Sequence, residues 1–241
     1  MSNDPRPDSS TPSPVAVVTG ASQGLGRALT AALVERGWHV VVDARRSDRL
    51  ADAVTTFGAE HVTPVVGDVT EPDHRDALVA AARRQSGPVR LLVNNASTLG
   101  ASPLPALDAV TPAVLERTFA VNVVAPVALT AALLPELAPS ATVVNITSDA
   151  AIEAYEGWGA YGSTKAALDH VSRVLAVEHP EVRVLAVDPG DLRTEMHQDA
   201  FPGEDISDRP PPESAVPGLL ALIEGEQPSG RYAASTVAVA P

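Results

Sequence analysis

Cysteine is absent from this chain of 241 residues. Without thiols the protein cannot form disulfides, hold an iron–sulfur cluster or bind zinc through thiolates. Aromatic residues make up only 3% of the sequence, so a core must be built from valine, alanine and leucine. Lysine and arginine number 17 against 30 acidic residues, and the net charge of −13 argues against nucleic acid as a main partner.

Long apolar stretches are scarce as well. No apolar run approaches the length needed to cross a membrane, and the first residues contain no apolar core of a signal peptide. We therefore expect a cytoplasmic protein that does not bind membranes. Residues 1–14, rich in serine and proline, are predicted to be a disordered tail, and residues 15–241 a single domain.

Short apolar runs alternate with amphipathic stretches from residue 15 onward. We predict strands at 15–19, 39–43, 62–66, 89–93, 141–147, 182–187 and 231–239. We predict helices at 25–36, 47–57, 72–85, 112–137, 159–178 and 213–224, with a kink at Pro126. This alternation indicates an α/β fold, a doubly wound Rossmann-type parallel sheet of about seven strands with helices on both faces. In such a fold ligands bind beyond the carboxyl ends of the strands.

Tyr161-Gly-Ser-Thr-Lys165 places a phenol and an ammonium on one face of a helix. A neighbouring ammonium favours the phenolate, so we expect Lys165 to lower the Tyr161 pKa from its usual value of about 10. Ser148 follows an apolar strand and could hold a carbonyl oxygen. Taken alone, Tyr-x-x-x-Lys is typical of a solvated helix face.

A glycine-rich loop, Thr19-Gly20-Ala-Ser22-Gln-Gly24-Leu-Gly26, separates the first strand from the first helix. Glycines let a pyrophosphate approach the backbone, and the helix N-terminus supplies free N–H groups. Such loops also form ordinary turns, but the position after the first strand favours a dinucleotide site.

These motifs together resemble the short-chain dehydrogenase/reductase family. The resemblance covers Val15 to about Met196, in the family's order and spacing, through Thr19-Gly20-x-x-x-Gly24-x-Gly26, Asp68-Val69-Thr70, Asn94-Asn95-Ala96, Asn122, Ser148, Tyr161-x-x-x-Lys165 and Pro189-Gly190-x-x-x-Thr194. Two departures are visible. Ser97 stands where the family usually has glycine, and the last strand is not followed by the family's Asp-Gly-Gly, which puts one tetramer interface in doubt.

The resemblance implies four catalytic residues. Tyr161 is the general acid in reduction and the general base in oxidation. Lys165 holds the nicotinamide ribose and stabilises the phenolate. Ser148 binds the substrate oxygen, and Asn122 takes part in a proton relay through water. A compatible alternative makes Asn122 a residue that satisfies the backbone of a helix kink near Pro126.

The resemblance also implies a nicotinamide dinucleotide, and its contacts are spread over several strand ends. They are Gly20, Ser22, Gln23, Gly24, Leu25, Gly26, Arg45, Arg46, Asp68, Val69, Asn95, Ala96, Ser97, Tyr161, Lys165, Pro189, Gly190, Leu192 and Thr194. Asp68 could instead be only a loop cap.

The family selects NAD with an acidic residue at the end of the second strand, and that position corresponds here to Ala44. Arg45 and Arg46 follow, and guanidinium groups suit a 2′-phosphate, so we expect NADP(H) to be preferred and NAD(H) to remain possible. Two alternatives stay open. In the first, both arginines are merely solvated and bind no phosphate. In the second, the register is shifted by one residue, and Asp43 becomes the residue that selects NAD.

Three segments, 99–104, 149–158 and 191–212, are expected to line the substrate pocket, with Ser148, Tyr155, Trp158 and Asp191 as candidate substrate residues. The middle segment predicts either an aromatic platform for a cyclic, cationic or hydroxyl-rich substrate or a solvated acidic rim, which we favour. Residues 192–212 are a candidate substrate lid or an ordinary surface loop. The histidines lack metal-ligand spacing, so we assign no metal.

The leading hypothesis is an NADP(H)-dependent reductase of a small ketone or aldehyde. Alternatives are alcohol oxidation, epimerisation or dehydration through transient oxidation, and a cofactor-sensing regulator, against which the intact Ser148, Tyr161 and Lys165 argue. An apolar stripe of Leu168 and Leu175 with Val171 lies on the helix that pairs across a two-fold axis in the family. We therefore expect a homodimer or homotetramer, although buried packing also explains the stripe.

Overall fold

The computed structural model describes residues 12–237, so most of the expected tail and the end of the last predicted strand lie outside the described residues. Within that range the apolar runs form one parallel sheet, in the order β3-β2-β1-β4-β5-β6-β7. Its strands are β1 (Val15–Val18), β2 (His39–Ala44), β3 (Val62–Val66), β4 (Val89–Asn94), β5 (Leu137–Ile146), β6 (Arg183–Asp188) and β7 (Gly230–Ala233). The predicted α/β fold with about seven strands is thus confirmed.

Helices cover both faces of the sheet. They are α1 (Gly24–Glu35), α2 (Ser47–Phe57), α3 (Pro72–Arg83), α4 (Pro112–Phe119), α5 (Ala125–Leu133), α6 (Gly159–Glu178), α7 (Glu195–Ala200) and α8 (Val216–Glu224). Successive residues of a strand point to opposite faces. In β1, Ala16 and Val18 pack with α1 and α8, whereas Val15 and Val17 pack with α3 and α5. This double burial explains why the strands are continuously apolar.

Several elements differ from the sequence expectations, and β5 begins at Leu137, four residues earlier than predicted. The polar segment after β6 contains the short helix α7, which the pattern did not predict; Thr194 caps it by accepting a hydrogen bond from the backbone N–H of His197 at 3.2 Å. The last strand ends at Ala233, and the residues Ala234–Thr236 form a 3₁₀ turn.

The helical stretch Pro112–Glu136 is long and apolar enough to cross a membrane by length and composition, and an 18-residue window within it has a mean hydropathy of 1.8. The expectation that no run reaches that length was therefore wrong. The cause lies in the scarcity of charge on this stretch, which packs through Leu129 and Leu133 into the core of the sheet.

The expected kink at Pro126 takes the form of a π-helical turn, Ala120–Val124, between α4 and α5. There the N–H of Ala125 donates to the carbonyl of Ala120, five residues back. Proline has no N–H, so the carbonyl of Asn122 lacks its α-helical partner at position 126. The wider turn accommodates Pro126 without breaking the helix, and it holds Asn122 in the interior, 1% exposed.

Buried polar side chains join the sheet to the helices on one face. Asn94 Nδ2 donates to Asn145 Oδ1 at 2.7 Å and to Thr130 Oγ1 at 3.2 Å, and Asn145 Nδ2 donates to Ser172 Oγ at 2.8 Å. The network spans β4, β5, α5 and α6. It therefore fixes the two helical segments that carry Asn122 and Tyr161 against the strand ends.

We expect Asn145→Val to lower the free energy of unfolding by about 1–3 kcal/mol, because it leaves buried amide and hydroxyl groups of Asn94 and Ser172 short of a partner. Urea unfolding followed by circular dichroism measures this. Thr55→Ala is the control, since the exposed Thr55 hydroxyl donates to the carbonyl of Ala51 in its own helix and takes no part in the network. An unchanged midpoint for Asn145→Val would contradict the network's role.

Candidate active site

The carboxyl ends of the central strands open into one cleft of about 590 Å³. All the residues expected to contact cofactor line it except Gly26, and the candidate substrate residues Ser148, Tyr155, Trp158 and Asp191 line it as well. Asn122 lies behind the wall. Residues separated by up to about 170 positions are thereby brought to one edge of the sheet.

The glycine loop is tied to the end of β4. Thr19 Oγ1 accepts hydrogen bonds from the backbone N–H groups of Asn95 and Ala96, both at 3.0 Å, and Asn95 Nδ2 donates to the carbonyl of Thr19 at 2.8 Å. At Gly26 a Cβ would lie 2.5 Å from Asn95 Nδ2 and from the carbonyl of Gly20. Gly26 therefore permits the close packing of α1 on the loop rather than a contact with the cleft.

The carboxylate of Asp43 binds the backbone of the glycine-rich loop. Its Oδ1 accepts from the N–H of Gly20 at 2.6 Å, and its Oδ2 lies 3.0 Å from His74 Nε2. Burial raises the pKa of Asp43, while the contacts with His74 and Gly20 act in the opposite direction. Both carboxylate oxygens are thus engaged inside the fold, which disfavours the alternative that Asp43 holds ribose hydroxyls.

Arginine side chains gather at the end of the cleft that lies beside β2 and α2. Arg46 pairs with Asp48 at 2.7 Å, and Arg49, which the sequence reasoning missed, pairs with Glu195 of α7 at 2.7 Å and contacts Gln23. Arg45 is exposed at the rim and forms no ion pair within residues 12–237. A guanidinium in that position is available to an anionic ligand.

Asp68 serves as a loop cap at the end of β3. Its Oδ1 accepts from the N–H and the hydroxyl of Thr70, at 2.9 and 2.8 Å. This contact is the loop cap that the sequence offered as an alternative role for Asp68. The residue also lines the cleft beside Val69.

Tyr161 and Lys165 lie one turn apart on α6, and both are buried. Lys165 Nζ is 5.3 Å from the centroid of the phenol ring and donates to the carbonyl of Ile146, at the end of β5, at 2.8 Å. Burial lowers the pKa of Lys165 to about 8, and the charge of Asp169 opposes that shift. The ammonium is therefore held where β5 and α6 meet.

The expected lowering of the Tyr161 pKa is wrong for this arrangement. Burial raises the pKa of the phenol well above its usual value, and the charges of Asp188 and Asp149 raise it further, whereas the hydroxyls of Ser148 and Ser97 oppose the rise. Spacing on a helix predicts that Lys165 is close, but it does not reveal burial or the acids brought in by other strands.

The side chain of Asn122 bonds to the segment after β4 and to α6. Its Oδ1 accepts from the N–H of Thr98 at 2.9 Å, and its Nδ2 donates to the carbonyl of Thr98 and to Thr164 Oγ1, both at 2.9 Å. The alternative in which this side chain satisfies the kinked backbone near Pro126 is therefore wrong. The amide instead positions the strand end relative to the helix that carries Tyr161.

Ser148 follows β5 and begins a small polar network. Its hydroxyl donates to Asp149 Oδ1 at 2.9 Å, and Tyr155 donates through its hydroxyl to Asp149 Oδ2 at 3.0 Å. The acids of this segment are thus not all solvated, because Asp149 bonds directly to the candidate catalytic serine.

Arg231 of β7 is a second residue that the sequence reasoning missed. Its guanidinium donates to Asp169 at 2.9 Å, to the carbonyl of Ser148 at 3.0 Å and to Asp188 at 3.3 Å. It joins α6 and the ends of β5 and β6, and it balances two acids near Tyr161 and Lys165. The basic residue in an otherwise apolar final strand is the signal that could have drawn attention to it.

Aromatic side chains form the outer wall of the cleft. Trp158 packs edge-on against Tyr161, with ring centroids 5.6 Å apart, and lies 6.0 Å from Phe201, which in turn lies 5.0 Å from His197. The predicted lid segment therefore contributes α7 and Phe201 to this wall. Because aromatics are so few in the chain, their concentration here could have been noticed in the sequence.

Comparisons with known proteins agree with this geometry. Residues 14–205 match the family model of the short chain dehydrogenases. Bovine sepiapterin reductase is 36% identical over 197 residues, which cover 76% of this chain and 74% of the relative. Benzil reductase from Saccharomyces cerevisiae, described as (S)-benzoin forming, is 34% identical over 196 residues, which cover 77% and 74% of the two chains.

Solved structures agree over nearly the whole chain. A putative short chain dehydrogenase from Shigella flexneri complexed with NADP aligns with a TM-score of 0.85 and 25% identity, covering 93% of this chain and 98% of that one. One from Escherichia coli complexed with NADPH aligns with a TM-score of 0.84 and 26% identity, covering 93% and 97%. Fold, motifs and relatives coincide, and the chain belongs to the short-chain dehydrogenase/reductase family of oxidoreductases.

Proposed function

We propose that the protein reduces a ketone or aldehyde to an alcohol with NADPH as the cofactor. The observation that carries this proposal is the meeting of Tyr161, Lys165 and Ser148 at one end of a cleft whose other end presents Arg45. In the reaction the carbonyl carbon gains a hydride, the carbonyl oxygen gains a proton, and NADP⁺ is left.

The cleft suits a dinucleotide phosphate. The glycine loop leaves the N-terminus of α1 open to a pyrophosphate, and Arg45, which forms no ion pair with residues 12–237, supplies a guanidinium for a 2′-phosphate. Arg49 lies on the same side, where an anionic ligand would compete with Glu195 for it. The NADP and NADPH bound to the two structural relatives support the same choice.

The protein residues position the substrate and move the proton, while the bound cofactor supplies the hydride. Ser148 would hold the carbonyl oxygen, and Tyr161 would give it a proton. Lys165 would hold the cofactor ribose and keep a positive charge near the developing oxyanion. The carbonyl of Asn122, which has no α-helical donor at Pro126, offers an acceptor for a water that returns the proton.

The electrostatics of Tyr161 favour the reductive direction. Reduction needs a neutral phenol as donor, and burial together with Asp188 and Asp149 raises its pKa, so the phenol is protonated at neutral pH. Alcohol oxidation would need the phenolate, which the same environment disfavours. The aromatic wall of Trp158 and Phe201 suits an aryl ketone, in line with the benzil named for the yeast relative.

We further propose that this enzyme is a cytoplasmic homodimer or homotetramer. The predicted apolar stripe does not carry that proposal, because Leu168 is buried and Leu175 packs into the core. Val174 and Val177 support it, since they are 40% and 81% exposed on the same helix.

Tyr161→Phe is expected to reduce kcat by about 10³-fold, because the ring remains but the proton donor is gone. The dissociation constant of NADPH, measured by its fluorescence, should stay within about threefold of the original value. Activity is measured as NADPH consumption across a panel of ketones, quinones and aldehydes. Substantial residual turnover would refute the role of Tyr161, and tight NADPH binding without any consumption by the unaltered protein would favour a regulator.

Arg45→Ala should weaken NADPH binding by about 10- to 100-fold while leaving NADH binding nearly unchanged, since only NADPH carries the 2′-phosphate. Kd for both cofactors and the ratio of their kcat/KM values provide the measurement. Arg90→Ala is the matched control, because Arg90 is an exposed arginine near the amino end of β4. A preference for NADH in the unaltered protein would overturn this choice of cofactor.

The dependence of reductive kcat/KM on pH should reveal the loss of the proton from the Lys165 ammonium. Burial favours its neutral amine, so the ammonium is lost above about pH 8 and reductive kcat/KM should fall by about tenfold per pH unit there. In Lys165→Arg the charge persists, so the fall should disappear even though the overall activity is lower. An alkaline fall that is the same in both proteins would assign it to another group.

A further inference from the structure

The hydroxyl of Ser148 has one proton, and in this structure that proton is committed to Asp149. The donor–acceptor distance from Ser148 Oγ to Asp149 Oδ1 is 2.9 Å. To hold a substrate carbonyl oxygen, the hydroxyl must turn its proton away from the carboxylate, because a carbonyl can only accept. Substrate binding as proposed above therefore removes one donor from Asp149.

The remaining contacts of Asp149 make that loss significant. Its donors within residues 12–237 are the hydroxyls of Ser148 and Tyr155 and the N–H of Ala150, all of them neutral. A partly buried carboxylate that loses a donor needs a replacement. A donor on the substrate, bound beside Ser148, can supply that replacement.

The geometry limits where that donor is attached. Asp149 Oδ1 lies one hydrogen bond from the serine oxygen, and the reacting carbonyl oxygen would lie one hydrogen bond further. A group on the carbon next to the carbonyl reaches back to the same carboxylate, since neighbouring oxygens on adjacent carbons are about one hydrogen-bond length apart. Tyr155, 47% exposed at the cleft mouth, bonds the other oxygen of Asp149 and fixes its orientation.

We propose that Asp149, oriented by Tyr155, selects carbonyl substrates that carry a hydroxyl group on the carbon adjacent to the carbonyl. The hydroxyl donates to Asp149 while Ser148 donates to the carbonyl oxygen, and reduction yields a 1,2-diol. This inference rests on the proposed carbonyl reduction and adds its substrate class. It also gives a role to an acid that sequence reasoning placed in a solvated rim.

A local role for Asp149 is the competing explanation. Its Oδ1 also accepts from the N–H of Ala150 at 2.8 Å, at the start of the short 3₁₀ turn Asp149–Ala151. Asp149→Asn separates the two roles, because the amide oxygen can still cap the turn but the charge that attracts a donor is gone. Glu153→Gln is the matched control, since it removes an acid from the same segment without touching Ser148.

The test compares three aryl ketones of similar size: 2-hydroxyacetophenone, 2-methoxyacetophenone and propiophenone. The methoxy compound keeps the electron-withdrawing oxygen but cannot donate. In the unaltered enzyme, kcat/KM with NADPH should be about 10- to 100-fold higher for the hydroxy than for the methoxy ketone. A hydrogen bond to a charged group usually changes affinity by a factor of this size. The ratio should fall towards unity in Asp149→Asn and persist in Glu153→Gln.

Calorimetric binding of the same ketones to the NADP⁺ complex gives a readout that does not need turnover. Equal affinity and equal turnover of the hydroxy and methoxy ketones would overturn the selectivity while leaving carbonyl reduction intact. Absence of turnover of all three, with the hydroxy ketone still bound more tightly in an Asp149-dependent way, would support the selectivity and refute the proposed reaction. A ratio unaffected by Asp149→Asn would assign the residue to the turn alone.

Discussion

A buried ammonium sets the electrostatic demands of this active site. Lys165 is only 2% exposed, and its one observed hydrogen bond within the described chain goes to the carbonyl of Ile146. Removing a charge from water is costly unless partners compensate. Partial compensation comes from Asp169 on the same helix, while Asp188 and Asp149, which lie at the ends of β6 and β5, act on the neighbouring phenol.

Those acids would in turn be unbalanced without Arg231. Asp169 follows Lys165 by one helical turn, and Asp188 ends β6 beside Tyr161; the guanidinium of Arg231 bonds to both. It also bonds to the carbonyl of Ser148, so the same group that balances the charges fixes the strand end that presents the serine. Positive and negative groups thus alternate around the reacting position, and Tyr161 stays neutral among them.

Sequence reasoning predicted the sheet, most of its helices and most residues that line the cleft, because these follow from periodicity and from motifs of adjacent residues. The sequence could not show how the charged side chains are arranged in three dimensions. Asp43 and Ala44 are neighbours in the chain, yet only three-dimensional packing shows that the carboxylate of Asp43 is occupied by Gly20 and His74. The pKa of Tyr161 was mispredicted for the same reason, since burial and Asp188 act across the fold rather than along the helix.

Arg231, which sequence reasoning missed, lies at the Ser148 end of the cleft, whereas Arg49 lies at the end that holds Arg45. The end of the cleft beside the glycine-rich loop is built from backbone groups and from motifs of adjacent residues, which the sequence makes visible. Asp149, after β5, and Phe201, beyond α7, instead line the cleft near Ser148 and Trp158, and Arg231 of β7 supports that end from behind through the carbonyl of Ser148. A hydroxyl-bearing substrate would bring its own donor into a site that already has a surplus of acceptors. The candidate catalytic groups thus belong to the family's motifs, whereas the additional charges around Ser148 come from segments outside those motifs.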